Sequence, residues 1–165
     1  VAAGEKIARV SANMAMAADM EVRASSTATT GAYSSACQRG LPAILMERGG
    51  GGRFTDSEVQ AYKQDVKNIM IRMGLLSGEE VHTVQQKNVT RAEYLEAETD
   101  GLWYPVFSAG DTFAGGEVLG TVRDIWGNLL REYRADYPGI VLYQTVGLGV
   151  KTGDPLIAYG EYVDR

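Results

Sequence analysis

Four consecutive glycines, Gly49 to Gly52, follow directly on a short apolar run that ends in two charged residues, Pro42-Ala-Ile-Leu-Met-Glu47-Arg48. A run of this length between Pro and Gly is typical of a strand buried on both faces. The sequence therefore predicts a strand over residues 42–47 and, after it, a loop with almost no side chains. Because ligands in open α/β sheets bind beyond the carboxyl ends of the strands, Glu47 lies where a functional group is expected.

Two interpretations of Glu47 follow from its position. A carboxylate beside a backbone that a ligand can approach closely is suited to act as a general base. The alternative is a structural acid, paired with Arg48 or with a helix terminus. Arg48 in turn has a planar guanidinium that suits three roles, which are orienting Glu47, binding a substrate carboxylate, or pairing with another nearby acid. A phosphate-binding loop at Gly49–Gly52 is disfavoured, since the Gly-Lys-Ser/Thr ending of that motif is missing.

Composition excludes several classes of function. The chain has 165 residues, of which 45% are apolar and 22% charged, so it can bury a core in one domain or two small ones. Its formal net charge of -5 argues against nucleic acid as a partner. The sequence contains neither an apolar run long enough to span a membrane nor a basic-then-apolar leader. The lone Cys37 excludes an internal disulfide and predicts a reducing, cytoplasmic location, and the lone His82 limits histidine-based metal chemistry.

The first part of the chain has the pattern of an α/β domain. A helix is predicted near the N-terminus, and a short helix over 33–38 is predicted to end at Gly40. A third helix begins at a capping box formed by Thr55 and Glu58 and ends at Gly74. Its apolar residues are predicted to face the core and to pack on the sheet that contains strand 42–47. The apolar positions are Ala3, Ile7, Val10, Met14 and Ala17 in the first helix, and Val59, Tyr62, Val66, Ile69 and Met73 in the third.

The second part has the pattern of a small all-β domain. Short β-prone runs between turn residues predict a sandwich or barrel, with the boundary at residues 77–90, so that residues 1–80 are α/β and residues 90–165 are all-β. Gly115–Leu119 and Thr152–Leu156 form a weak internal repeat, typical of two stacked halves. The hairpin tip at 125–128 carries no lysine, which argues against a swinging-arm carrier. The predicted strands are Leu102–Phe107, Val118–Asp124, Leu129–Arg134, Ile140–Tyr143 and Leu156–Tyr162.

Three segments of the chain resemble the succinylglutamate desuccinylase/aspartoacylase family, and among its members the N-acetyl-diaminobutyrate deacetylases. The segments are 31–49, which contains Pro-Ala-Ile-Leu-Met-Glu-Arg-Gly; 101–111, Gly-Leu-Trp-Tyr-Pro-Val-Phe-Ser-Ala-Gly-Asp; and 120–127, Gly-Thr-Val-Arg-Asp-Ile-Trp-Gly. The resemblance implies the C-terminal part of a zinc-carboxypeptidase-like α/β domain, followed by a small β-barrel-sandwich-like domain.

The resemblance also implies a zinc-dependent amide hydrolase that acts on a small N-acyl amino acid. Glu47 matches the catalytic glutamate of the family, which deprotonates a zinc-bound water and then protonates the leaving amine. Arg48 is a candidate for substrate binding. The family's Zn²⁺ ligands, two histidines and a glutamate, lie upstream of the matched segments, and His82 matches none of them. We therefore expect a chain that is incomplete at Val1 and inactive on its own.

A different class of function stays open at this point. The chain could instead be a non-catalytic interaction or regulatory module, which the absence of a histidine cluster in the sequence favours. If the α/β part is incomplete, it should also expose apolar surface, so we expect self-association.

Overall fold

The computed structural model describes residues 4–164, with the backbone alone for Asp164, and divides them into two compact units. The N-terminal unit extends to Lys87 and the C-terminal unit spans Asn88–Asp164. This division lies inside the connection that the sequence predicts at 77–90. Ala3, predicted to face the core from the first helix, lies outside the described residues. None of the helices described is long and apolar enough to cross a membrane.

The N-terminal unit is built mainly from helices. Its elements are α1 (Glu5–Ala17), β1 (Val22–Ala24), α2 (Ala32–Gln38) and α3 (Asp56–Arg72). The three helices confirm those predicted from the sequence. The predicted capping box is present, because the Thr55 side chain accepts from the Glu58 N–H while the Glu58 side chain accepts from the Thr55 N–H. Gly74, with a φ of 73°, follows the last turn of α3, as predicted.

The predicted strand over residues 42–47 is wrong. Residues 41–49 belong to no helix or strand. A strand requires a ladder of hydrogen bonds to a neighbouring strand, and within the described part of the N-terminal unit this segment bonds to side chains of helices instead. The Ala43 N–H donates to Ser11 Oγ on α1 at 3.1 Å, and the Tyr62 hydroxyl on α3 donates to the Met46 carbonyl at 3.3 Å. Leu45 is 60% exposed, so the segment is not buried on both faces.

The face that α3 buries also differs from the prediction. Val66 and Met73, assigned to the core, are 47% and 39% exposed, whereas Asp65 and Asn68 are fully buried. The reason is that both buried polar side chains have partners. Asp65 pairs with Arg48, and the Asn68 amide bonds both the N–H and the C=O of Val81. Among the described elements, α3 packs against α1, and the strand on which it was predicted to pack is not formed.

The C-terminal unit consists of β-strands. All five strands predicted from the sequence are confirmed, and β2, β4 and β8 are additional. The strands are β2 (Lys87–Glu96), β3 (Gly101–Pro105), β4 (Thr112–Phe113), β5 (Val118–Arg123), β6 (Leu129–Arg134), β7 (Gly139–Gln144), β8 (Gly149–Val150) and β9 (Pro155–Asp164).

Two layers of strands enclose the core of this unit. One has the strand order β2-β9-β7-β4 and the other β6-β5-β3-β8. Both layers contribute to a single buried cluster, with Trp103 and Tyr133 from one and Leu156 and Tyr159 from the other. Trp103 and Tyr133 meet edge to face at 5.7 Å between ring centroids. The described strands do not close into a barrel, so the mixed α/β fold is observed and the barrel-like detail of the prediction is not.

The internal repeat corresponds to a turn that occurs in both halves. In the first copy the Ala114 N–H donates to the Glu117 carboxylate at 2.6 Å, and in the second the Lys151 N–H donates to the Asp154 carboxylate at 2.8 Å. The glycine before each acid has a φ of 84° or 88°, which favours glycine. Asp111 makes the same bond to the Ser108 N–H at 2.8 Å. These three acids therefore accept hydrogen bonds from local backbone N–H groups.

Replacing Gly120 by alanine should destabilise the C-terminal unit. A Cβ at this position would lie 2.2 Å from Cη2 of Trp103, which is buried in the core. Overpacking of this kind costs about 1–3 kcal/mol of unfolding free energy. Urea denaturation of Gly120→Ala measures the loss. Gly149→Ala, another strand glycine with nothing within 4 Å of its added Cβ, is the matched control. Equal stability of the two variants would contradict the packing described for Trp103.

The apolar surface of the N-terminal unit predicts self-association of the purified chain. Leu45 is 60% and Phe54 78% exposed, and other large apolar side chains of the same unit, such as Leu41 and Leu75, are exposed as well. We expect oligomers by light scattering, and a shift toward monomer in Leu45→Lys and Phe54→Lys. Gln60→Lys adds the same charge at an exposed polar position of α3 and should leave the oligomers unchanged. A wild-type chain that stays monomeric at high concentration would refute the prediction.

Candidate functional site

Glu47 is an exposed carboxylate in the irregular segment between α2 and α3. Within residues 4–164, its carboxylate takes part in no hydrogen bond or ion pair. The structural alternative, in which Glu47 pairs with Arg48, is therefore not what the structure shows. A carboxylate without a protein partner is free to accept a proton from a bound ligand or water.

Arg48 points its guanidinium at Asp65 instead. Nε donates to one carboxylate oxygen of Asp65 at 2.7 Å, and Nη2 donates to the other at 3.0 Å and to the Asp19 carbonyl at 2.6 Å. The hydrogen bonds to Asp65 raise the pKa of Arg48, which is charged in any case. This geometry is that of a structural partner for a nearby acid. A role for Arg48 in substrate binding stays a prediction.

Asp65 is fully buried, and its carboxylate accepts hydrogen bonds from two parts of the chain. Besides Arg48, the Asp19 N–H donates to its Oδ1 at 2.8 Å. Asp19 follows the end of α1, so the carboxylate joins α3 both to that helix end and to the segment that carries Glu47. A buried carboxylate is tolerated only when it is paired and hydrogen-bonded in this way.

Tyr62 contacts the main chain on both sides of Glu47. Its hydroxyl accepts a hydrogen bond from the Arg48 N–H at 2.7 Å and donates one to the Met46 carbonyl at 3.3 Å. The sequence predicted Tyr62 to be part of an apolar stripe facing the core. The structure shows that its ring is only partly buried and that its polar end has a separate role.

The glycine loop after Arg48 runs close to the start of α3. Gly49 has a φ of 71°, and a Cβ at this position would lie 2.8 Å from Oε1 of Glu58. The other oxygen of that carboxylate, Oε2, is held by the Thr55 N–H at 2.6 Å and the Thr55 hydroxyl at 2.8 Å. The backbone conformation of Gly49 favours glycine, and the Glu58 carboxylate approaches this position closely.

Cys37 and His82 have partners other than Glu47. Cys37 is buried, with its Sγ 3.6 Å from Ser11 Oγ and 3.5 Å from the Ala43 carbonyl. His82 Nε2 lies 2.9 Å from Glu80, which also pairs with Arg72. Across the part of the chain that the structure describes, no three His, Cys, Asp or Glu side chains converge on a point where a metal ion could bind. The described residues therefore offer no Zn²⁺ site of their own.

Sequence reasoning missed Tyr62 and Asp65 as neighbours of Glu47. Glu58, Tyr62 and Asp65 are separated by four and then three residues, so they lie along one face of α3. That spacing is visible in the sequence, but a search for apolar periodicity does not detect a stripe that contains two acids.

Solved structures share this fold over nearly the whole chain. A succinylglutamate desuccinylase/aspartoacylase from Rhodobacter sphaeroides is 23% identical with a TM-score of 0.81, covering 99% of this chain and 52% of that one. The product-bound ectoine utilization protein EutE (DoeB) from Ruegeria pomeroyi is 22% identical with a TM-score of 0.83. The match covers 97% of this chain and 51% of that one. An aspartoacylase family protein from Mesorhizobium loti is 20% identical with a TM-score of 0.77. The match covers 100% of this chain and 51% of that one.

The match is one of fold. No protein-family model matches the sequence, and no curated protein matches it. The chain spans about half the length of the solved structures above. Its mixed α/β fold is that of the C-terminal part of succinylglutamate desuccinylase/aspartoacylase structures.

Proposed function

We propose that this chain forms the C-terminal part of a deacylase that hydrolyses the amide bond of a small N-acyl amino acid. The observation that carries the proposal is the fold, since 99% of this chain superposes on 52% of a structure described as a succinylglutamate desuccinylase/aspartoacylase. In this proposal, residues 1–80 complete an α/β catalytic domain and residues 90–165 form a barrel-sandwich-like domain. The resemblance to N-acetyl-diaminobutyrate deacetylases suggests the substrate class.

Glu47 is the proposed general base. Its carboxylate accepts a proton from the attacking water as the C–O bond forms at the amide carbonyl. It then gives that proton to the amine nitrogen as the C–N bond breaks, which leaves a carboxylate and a free amine. Two features support this role: Glu47 is exposed, and among the described residues its carboxylate has no hydrogen-bond or ion-pair partner.

The Zn²⁺ that the resemblance implies would have to be held by residues outside those described here. His82 and Cys37 are already engaged, and the carboxylates of the described residues do not cluster with them. We therefore assign no metal ligand to residues 4–164.

Glu47→Gln should abolish most of the proposed activity. The amide keeps the shape of the side chain but cannot accept the proton, so kcat should fall by roughly two orders of magnitude or more. The measurement is hydrolysis of a panel of N-acyl amino acids by the product of the complete reading frame, with Zn²⁺ in the buffer. Glu79→Gln, an exposed acid of the same unit, is the matched control and should keep full activity.

Two results would count against the proposal in different ways. Unchanged turnover in Glu47→Gln would remove Glu47 from the mechanism while keeping the deacylase assignment. A folded product that hydrolyses none of the N-acyl amino acids would favour the alternative, a non-catalytic interaction or regulatory module.

A further inference from the structure

One face of α3 fixes the main chain on either side of Glu47. Three residues lie along this face. Glu58 approaches Gly49, and the Tyr62 hydroxyl bonds the backbone of residues 46 and 48. Asp65 pairs with the Arg48 side chain. We infer that Tyr62 and Asp65 are positioning residues, which hold Glu47 in one backbone conformation and so aim its carboxylate. The inference rests on the proposed role of Glu47 as general base.

The Tyr62 hydroxyl restricts both backbone dihedrals of Glu47. The Met46 carbonyl belongs to the peptide before Glu47, and the Arg48 N–H belongs to the peptide after it. Because φ and ψ are the only soft backbone torsions of a residue, they set the relative orientation of these two peptides. One oxygen bonded to both groups, at 3.3 and 2.7 Å, ties that orientation to α3.

Asp65 fixes the side chain of Arg48 and keeps it away from the Glu47 carboxylate. Its two oxygens accept both hydrogen bonds of the Arg48 fork, and the Asp19 N–H bonds Oδ1 as well. Since the Asp65 side chain is 0% exposed, it has little room to rotate toward another partner. Because Arg48 pairs with Asp65, it does not pair with the neighbouring Glu47 carboxylate. The oxygens of Glu47 therefore stay available to accept a proton.

The chain after Arg48 runs close to the same helix. The Glu58 carboxylate, itself bound by Thr55, lies where a side chain at position 49 would be. Met46, Arg48 and Gly49 are therefore all in contact with α3, while the Glu47 side chain is the exposed one. A general base has to be held within about 0.5 Å of its productive position, and supporting contacts of this kind provide such precision.

Tyr62→Phe tests the inference because it removes the hydroxyl and keeps the ring. Amide hydrogen exchange of Arg48, measured by NMR on the full chain, should become about three- to tenfold faster, the change expected when one net hydrogen bond is lost. In the product of the complete reading frame, kcat for an N-acyl amino acid should fall while KM changes little, because the substrate contacts are intact. Asp65→Asn should reproduce the kcat and KM pattern.

Tyr33→Phe is the matched control. The Tyr33 hydroxyl lies 2.7 Å from Ser26 Oγ in the same unit, and its loss should leave Arg48 exchange and kcat unchanged. Unchanged Arg48 exchange in Tyr62→Phe would overturn the inference, and so would faster exchange with an unchanged kcat. If no deacylase activity exists at all, the proposed function fails, and the exchange measurement alone decides whether Tyr62 fixes the backbone around Glu47.

Discussion

The organisation of the N-terminal unit depends on the pairing of one buried carboxylate. Asp65 lies in the middle of α3 with no exposure to solvent, and an unpaired charge there would cost several kcal/mol. Arg48 and the Asp19 N–H satisfy it, so the segment before α3 and the end of α1 are both bound to this helix. Asp19 extends the network, because its own carboxylate accepts from the N–H and the hydroxyl of Thr83. Burial raises the pKa of Asp19, but the hydrogen bonds from Thr83 and Val84 outweigh it and lower the pKa overall.

The sequence allowed good predictions where the physical signal is local. The capping box at Thr55 and the glycine after α3 depend on residues only a few positions apart, and both were predicted correctly. The predicted strand over 42–47 failed because a strand depends on a neighbour elsewhere in the chain. The buried face of α3 was misassigned because apolar periodicity cannot show that Asp65 and Asn68 have partners. β2 was missed because its sequence, Lys-Asn-Val-Thr-Arg-Ala-Glu-Tyr-Leu-Glu, is largely polar.

The candidate site was predictable to a similar extent. The position of Glu47, after an apolar run and before glycines, made it a candidate functional residue without any knowledge of the structure. Its role as general base stays a prediction. The direction in which Arg48 points was not predictable, since its fork suits any nearby carboxylate, and Asp65 is seventeen residues away. The role of the Tyr62 hydroxyl was hidden for a different reason. A tyrosine in an apolar stripe contributes its ring to packing, and only the folded chain shows which backbone groups its oxygen meets.

The polar network around Arg48 and Asp65 is difficult to explain by stability alone. Replacing a buried ion pair by well-packed apolar residues is often neutral or stabilising, so a buried pair is weak support for a purely structural role. An apolar contact between α3 and residues 46–48 would be non-directional and would not set the orientation of the two peptides beside Glu47. Hydrogen bonds do set it, because they require specific distances and angles. We therefore interpret the network as the means by which α3 fixes the backbone around Glu47, whose carboxylate makes no hydrogen bond or ion pair of its own with the described chain.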